Sequence, residues 1–103
     1  MVAFLREHHD SLARICRRCR VARLELFGSA ARGESFEAGR SDLDFLVEFE
    51  PLAPGEMFDA FFDLREALER EFGRKIDLLL ARSLQNPYLL ESINRNRVTL
   101  YGA

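Results

Sequence analysis

Apolar side chains along this chain follow two kinds of spacing, one typical of helices and one typical of strands. Over residues 2–19 and again over residues 57–72, apolar positions recur at the spacing of an amphipathic helix. Residues 21–27, 43–49 and 75–80 instead alternate between apolar and polar side chains, as strands do when one face is buried. The pattern therefore predicts the order helix, strand, strand, long helix, strand.

Residues that favour turns separate these elements. Gly28 and Ser29 follow the first strand, and residues 30–41 are predicted to form a loop. Pro51 ends the second strand, and Gly73 is placed to cap the long helix.

The last part of the chain is predicted to add one helix and one strand. Ser83 is suited to cap a helix that runs to about residue 95, which Pro87 interrupts early. Residues 98–101 then predict an edge strand.

The long helix is predicted to bury one side and to expose an acidic one. Its phenylalanines are assigned to the core and not to a platform for stacking bases, because no basic residues interleave with them. The core side comprises Met57, Phe58, Phe61, Phe62, Leu64, Leu68 and Phe72, and the acidic side comprises Asp59, Asp63, Glu66 and Glu69.

Length and composition limit the class of protein. The 103 residues, 48% of them hydrophobic and 31% charged, predict a single domain over residues 1–103 and exclude a multidomain enzyme. No apolar stretch is long enough for a membrane span, and His8, His9 and Asp10 stand where a signal peptide would be apolar. We therefore expect a cytoplasmic protein without membrane contact.

The cysteines predict no special chemistry. Cys16 and Cys19 are too few for a disulfide framework and supply half the ligands of a structural zinc site. A metal cluster that adds His8 and His9 is less plausible than packing in the core. Free thiols are expected.

Charge is segregated along a chain whose net charge is −2. Residues 1–23 are rich in arginine, whereas residues 41–72 are strongly acidic. Solvated helix faces alone give such a pattern, and a basic surface for RNA or a partner protein is the alternative. Direct binding of nucleic acid is not the expected function.

Three aspartates are the candidates for catalysis. Asp42 and Asp44 share one face of the second strand, about 6.6 Å apart at the backbone, and Asp77 can join them from another strand. Three carboxylates suit Mg²⁺ or Mn²⁺ together with a phosphate ligand, and not zinc. The alternative is structural: each aspartate caps a strand, faces solvent or pairs with Arg74 or Lys75. Aspartate is depleted in strands, so the coincidence favours a site.

The turn after the first strand is a candidate phosphate site. Gly28 lets backbone N–H groups approach an anion, and Ser29 adds a hydroxyl donor. Taken alone, a Gly-Ser pair after a strand is an ordinary turn.

Together, the run Leu26-Phe27-Gly28-Ser29-Ala30-Ala31-Arg32-Gly33 and the run Ser41-Asp42-Leu43-Asp44 resemble the minimal nucleotidyltransferase family, relatives of the DNA polymerase beta palm. The resemblance covers nearly the whole chain. It implies an α+β fold of sandwich-like layers, in which a small mixed β-sheet packs against helices.

The resemblance also implies roles for individual residues. It assigns two metal ions, Mg²⁺ or Mn²⁺, to Asp42, Asp44 and Asp77. It assigns the phosphates of the nucleotide to Gly28, Ser29 and Arg32, with Ser41 shaping the turn or touching phosphate. Two departures from the family pattern concern the loop, which has twelve residues between Ser29 and Asp42 and is longer than is common, and Ala30, where a second arginine is common.

The implied activity is transfer of AMP from ATP to a hydroxyl group. Because so short a chain has little room for an acceptor site, the resemblance points to a partner protein in a homo- or hetero-oligomer. It implies an antitoxin that adenylylates a tyrosine of a HEPN ribonuclease toxin. The alternatives are a noncatalytic antitoxin that neutralises its toxin by complex formation, and a transferase for a small hydroxyl substrate that works with a partner subunit. Self-modification of Tyr88 or Tyr101 is less plausible than ordinary packing of these side chains.

Overall fold

The computed structural model describes residues 6–27, 43–81 and 97–102. Within these ranges the elements are α1 (His9–Arg18), β1 (Val21–Phe27), β2 (Leu43–Phe49), α2 (Pro54–Phe72), β3 (Ile76–Leu80) and β4 (Val98–Tyr101). The predicted element order is confirmed for this part of the chain. The predicted loop over residues 30–41 and the predicted helix from Ser83 to about residue 95 lie outside the described residues.

The four strands form one mixed sheet. Their order is β3-β2-β1-β4, with β1 antiparallel to both β2 and β4, and with β2 parallel to β3. Strand β4 lies at an edge, as predicted. The α+β class with a small mixed sheet is therefore confirmed.

One face of the sheet packs against both helices to form the core. The buried side chains come from alternate positions of β1, β2 and β3 and from one side of each helix. Cys16 and Cys19 are buried free thiols within this cluster, which confirms their predicted state. The opposite face of the sheet carries the polar positions of the same strands.

Helix α2 begins and ends at residues that suit those positions. It starts at Pro54, earlier than the apolar stripe suggested, because proline fits the first turn, where its missing N–H group costs nothing. It ends at Gly73, whose φ of 64° is left-handed and whose N–H donates to the carbonyl of Glu69 at 2.9 Å. The predicted cap at Gly73 is therefore confirmed.

The turn between α1 and β1 is fastened to the start of α2. Arg20 has a φ of 60°, and its carbonyl accepts a hydrogen bond from the N–H of Glu50 at 3.0 Å. Its guanidinium donates to Oε2 of Glu56 at 2.9 Å, while Oε1 of Glu56 accepts the N–H of Ala53 at 3.3 Å. Glu56 thus links the amino end of α2 to this turn.

The core assignment of two phenylalanines is wrong. Phe58 is 64% exposed and Phe62 is 46% exposed, whereas Leu64 and Leu68 of the same helix are fully buried. A helix turns by about 100° per residue, so a stripe this wide cannot face the sheet as a whole. Phe72 was assigned correctly, since its ring packs 5.9 Å from that of Phe45 in the core.

Among residues 6–27, 43–81 and 97–102, no helix has the length and apolarity that a membrane crossing needs.

Candidate active site

Two of the predicted carboxylates lie side by side on the sheet. Asp44 of β2 and Asp77 of β3 are direct partners in the parallel register of these strands. Neighbouring strands lie about 4.8 Å apart, and in-register residues of a parallel pair project from the same face. Asp44 is half-buried and Asp77 is exposed. The two carboxylates therefore lie on the same face of the sheet.

The apolar residues around each aspartate explain this orientation. Leu43 and Phe45 on either side of Asp44 are fully buried in the core, and so is Ile76 beside Asp77. A shift of either strand by one residue would turn these side chains towards solvent and the aspartate into the core. Burial of the neighbours thus holds both carboxylates on the opposite face.

The amino-terminal part of the candidate site also approaches Asp44. Phe27, the last residue of β1, pairs with Asp44 across the antiparallel ladder. Gly28 and Ser29 follow Phe27 directly in the sequence. The chain therefore reaches Gly28 from the position next to Asp44.

The other predicted site residues belong to the part of the chain that the structure does not describe. Gly28, Ser29, Arg32, Ser41 and Asp42 lie outside the described residues. Within the described ranges, no group of three His, Cys, Asp or Glu side chains is arranged to hold a metal ion. Asp44 and Asp77 are thus the two described members of a predicted set of three.

The chemistry of the aligned pair fits a hard cation. Two carboxylates directly opposite each other on neighbouring strands repel when both are charged. A divalent ion held by both would remove that repulsion, and oxygen atoms are the ligands that Mg²⁺ and Mn²⁺ prefer. Asp77 is exposed, so the pair is accessible to a substrate.

A buried ion cluster on the same face of the sheet was not predicted. Glu25 of β1 pairs with Leu46 and is only 4% exposed. Its Oε1 lies 3.4 Å from Nε of Arg23, and its Oε2 lies 3.0 Å from Nε of Arg97 beside β4. These contacts are ion pairs without hydrogen-bond geometry. The cluster joins the edge strand β4 to β1, the strand that ends immediately before Gly28.

Only part of this cluster could have been predicted from the sequence. Arg23 and Glu25 stand two residues apart on one strand face, where two long side chains of opposite charge can meet. Arg97, the second cation beside Glu25, comes from a distant part of the chain, so local pattern could not reveal its contribution.

Comparison with known proteins adds a family to this geometry. A family model described as a nucleotidyltransferase domain matches residues 9–100. A Methanocaldococcus jannaschii protein whose name places it among the protein adenylyltransferases is 41% identical over 80 residues, covering 77% of this chain and 76% of its own length. A second such protein from that organism is 34% identical over 94 residues and covers 91% of this chain and 88% of its own length.

Solved structures share the fold. One described as a minimal nucleotidyltransferase superimposes with a TM-score of 0.72 at 36% identity, covering 92% of this chain and 91% of the other. A structure of a tri-AMPylated Shewanella oneidensis HEPN toxin in complex with an MNT antitoxin matches with a TM-score of 0.64 at 19% identity, covering 96% and 73%. At that identity the second match speaks for the fold alone.

Proposed function

We propose, from the premise that this chain belongs to the nucleotidyltransferase domain family, that it transfers AMP from ATP to a hydroxyl group of a partner protein. The observation that carries the proposal is the alignment of Asp44 with Asp77 on one face of the sheet. Strand β1 ends beside Asp44, and Gly28 and Ser29 follow it directly in the sequence, which supports a triphosphate at the same edge.

The residues divide into two groups by chemistry. Asp42, Asp44 and Asp77 hold the metal ions, which are Mg²⁺ or Mn²⁺. Gly28, Ser29, Arg32 and Ser41 contact the phosphates of ATP. When bound, the metal ions neutralise phosphate charge and favour ionisation of the attacking hydroxyl. Arg32 carries a permanent positive charge, which suits the negative charge that gathers on the departing pyrophosphate.

The reaction exchanges one phosphorus–oxygen bond for another. The acceptor oxygen forms a bond to the α-phosphorus and loses its proton to the surroundings, while the bond from that phosphorus to pyrophosphate breaks. The aspartates remain unmodified throughout. Their role is to hold charge and geometry at the reacting phosphate.

A HEPN ribonuclease toxin is the proposed acceptor, modified on a tyrosine. Relatives named as protein adenylyltransferases support a protein substrate. Solved toxin–antitoxin complexes with the same fold support a HEPN partner and a hetero-oligomer. The chain then acts as the antitoxin of such a pair, in the cytoplasm.

A noncatalytic antitoxin is the second candidate. The exposed rings of Phe58 and Phe62, beside the acidic side of α2, favour a protein contact that needs no chemistry. In that case the carboxylate pair would be dispensable for neutralising the toxin.

The deciding experiment follows label from α-labelled ATP into protein in the presence of Mg²⁺. The wild-type chain, Asp44→Asn and Asp10→Asn are each incubated with the protein encoded by the neighbouring reading frame. Asp10 is an exposed carboxylate of α1 and serves as the matched control. We expect label on a partner tyrosine with the wild type and Asp10→Asn, and none with Asp44→Asn.

Two results would overturn the proposal. Full transfer by Asp44→Asn would remove the catalytic role of the pair. Absence of label with each of the four nucleotides, together with a stable complex that Asp44→Asn also forms, would favour the noncatalytic antitoxin.

A further inference from the structure

An apolar groove lies along the first half of α2, on the helix layer of the fold. It encloses about 370 Å³ and is lined by Pro54, Met57, Phe58, Phe61, Phe62 and Leu80. The rings of Phe58 and Phe62 lie 4.8 Å apart, and Phe61 meets Phe62 edge-on at 5.5 Å. Among the described residues, Phe58 and Phe62 are the large apolar side chains left exposed. Adjacent exposed rings beside an apolar groove suit contact with a protein.

The groove continues into a larger hollow at the ends of β2 and β3. This hollow encloses about 840 Å³ and shares Met57 and Leu80 with the first groove. The charged side chains in its lining are Glu48 and Glu50. The two hollows therefore adjoin each other at Met57 and Leu80 and form one apolar floor.

Carboxylates border this floor on both sides. Glu48 and Glu50 are exposed at the end of β2, and Asp59 and Asp63 are exposed on α2 next to the phenylalanines. Arg20, which lies beside Glu50, is already paired with Glu56. A ligand with apolar side chains at helical spacing and flanking lysines or arginines complements this surface.

The charge of α2 argues against a second copy of the same face. Residues 54–72 hold six carboxylates and two arginines, and one of these, Arg70, is paired with Glu66 at 2.9 Å. Two such faces brought together would repel each other. The complementary surface must therefore be basic.

We propose that this groove docks a basic amphipathic segment of the partner protein that accepts AMP, an inference that rests on the proposed function for the partner's identity. The groove reaches the sheet at Leu80, which lies three residues or roughly 10 Å from Asp77 along β3 and on the opposite face of that strand. The docking contact and the chemistry thus occupy separate surfaces. A partner held in the groove leaves the carboxylate pair open to its own acceptor hydroxyl.

The test titrates the protein of the neighbouring reading frame into this 103-residue chain by calorimetry. Replacing both rings, Phe58→Ala with Phe62→Ala, is expected to weaken binding by roughly 30-fold or more, as loss of central aromatic contacts does. Asp59→Lys with Asp63→Lys is expected to weaken binding and to reduce its dependence on salt. Glu7→Lys, an exposed charge reversal on another part of the surface, is the control and is expected to bind as the wild type does.

Transfer kinetics separate docking from chemistry. Loss of the two rings is expected to raise the KM for the partner and to leave kcat at saturating partner within about twofold. Asp44→Asn is expected to bind the partner normally. If no AMP is transferred but the complex still weakens when the two rings are lost, the proposed function is wrong and the docking site is retained.

Four outcomes would overturn the docking proposal. The first is unchanged affinity of the double alanine variant, and the second is no complex with the wild type. The third is a wild-type homodimer that the substitutions convert to a monomer, which would make a second copy the occupant. The fourth is a marked fall in the Tm of the double variant, which would show that the chain covers the groove itself.

Discussion

Asp44 and Asp77 are direct register partners across the parallel pair β2–β3, although 33 positions separate them in the sequence. Helix α2 makes this possible, because it crosses from the end of β2 to the start of β3, as parallel strands require. The N–H of Leu43 donates to the carbonyl of Lys75 at 3.4 Å and aligns the starts of the two strands. The crossover thus sets two like charges side by side.

Asp77→Asn should be more stable than the wild type without metal and should gain less stability from Mg²⁺. In metal-free buffer the variant loses a repulsive cross-strand contact and should gain roughly 0.2–1 kcal/mol of unfolding free energy. Mg²⁺ should raise the Tm of the wild type, because an ion that binds only the folded state stabilises it, and should raise that of Asp77→Asn less. Thermal melts with and without Mg²⁺ check this. Equal metal shifts in wild type, Asp77→Asn and the control Asp59→Asn would contradict a metal site at the pair.

Loss of Arg97 should destabilise the fold through Glu25. The Glu25 side chain is 6% exposed, so removing one of its two cations leaves a poorly compensated buried charge. We expect Arg97→Ala to cost about 1–3 kcal/mol in urea unfolding, and Glu25→Gln to remove most of that sensitivity in a double-mutant cycle. Arg70→Ala, which breaks an exposed pair with Glu66, is the control and should cost less than about 0.5 kcal/mol. Equal losses of unfolding free energy in Arg97→Ala and Arg70→Ala would show that Glu25 is not effectively desolvated.

The sequence predicts those features that rest on local pattern. Alternation of buried and polar residues placed Asp44 and Asp77 on the polar faces of their strands, and glycine at position 73 predicted the end of α2. The register that makes the two aspartates neighbours could not be derived in this way, because it depends on how a long crossover helix packs. Phe58 was misassigned for a related reason, since hydrophobicity alone does not say which part of a wide stripe meets the sheet.

Gly73 and Gly55 should respond in opposite ways to alanine. Gly73 has a φ of 64°, and an added Cβ would meet nothing within 4 Å, so Gly73→Ala should cost about 1–2 kcal/mol through backbone conformation alone. Gly55 lies in the first turn of α2 with equally open surroundings, and Gly55→Ala should be neutral or stabilising by up to about 1 kcal/mol. Denaturant midpoints of the two variants check this. A neutral Gly73→Ala would mean that the link between α2 and β3 does not depend on the left-handed cap.

The thiol of Cys16 should make stability fall at alkaline pH. Burial in the core, with a smaller effect from neighbouring Cys19, raises the pKa of the Cys16 thiol from 9.0 to about 12. The unfolded chain therefore releases this proton at a lower pH than the folded chain does. The contribution of the buried thiol to the unfolding free energy is intact below about pH 9 and is lost as pH rises towards 12. From pH 8 to pH 10 the loss should be about 1 kcal/mol in the urea-derived unfolding free energy. Cys16→Ala should be less stable than the wild type at neutral pH because the substitution leaves a cavity. Its unfolding free energy should nevertheless fall less steeply between pH 8 and pH 10. Parallel pH dependence of the two proteins would contradict a raised thiol pKa, as would rapid alkylation of Cys16 in the folded chain at pH 8.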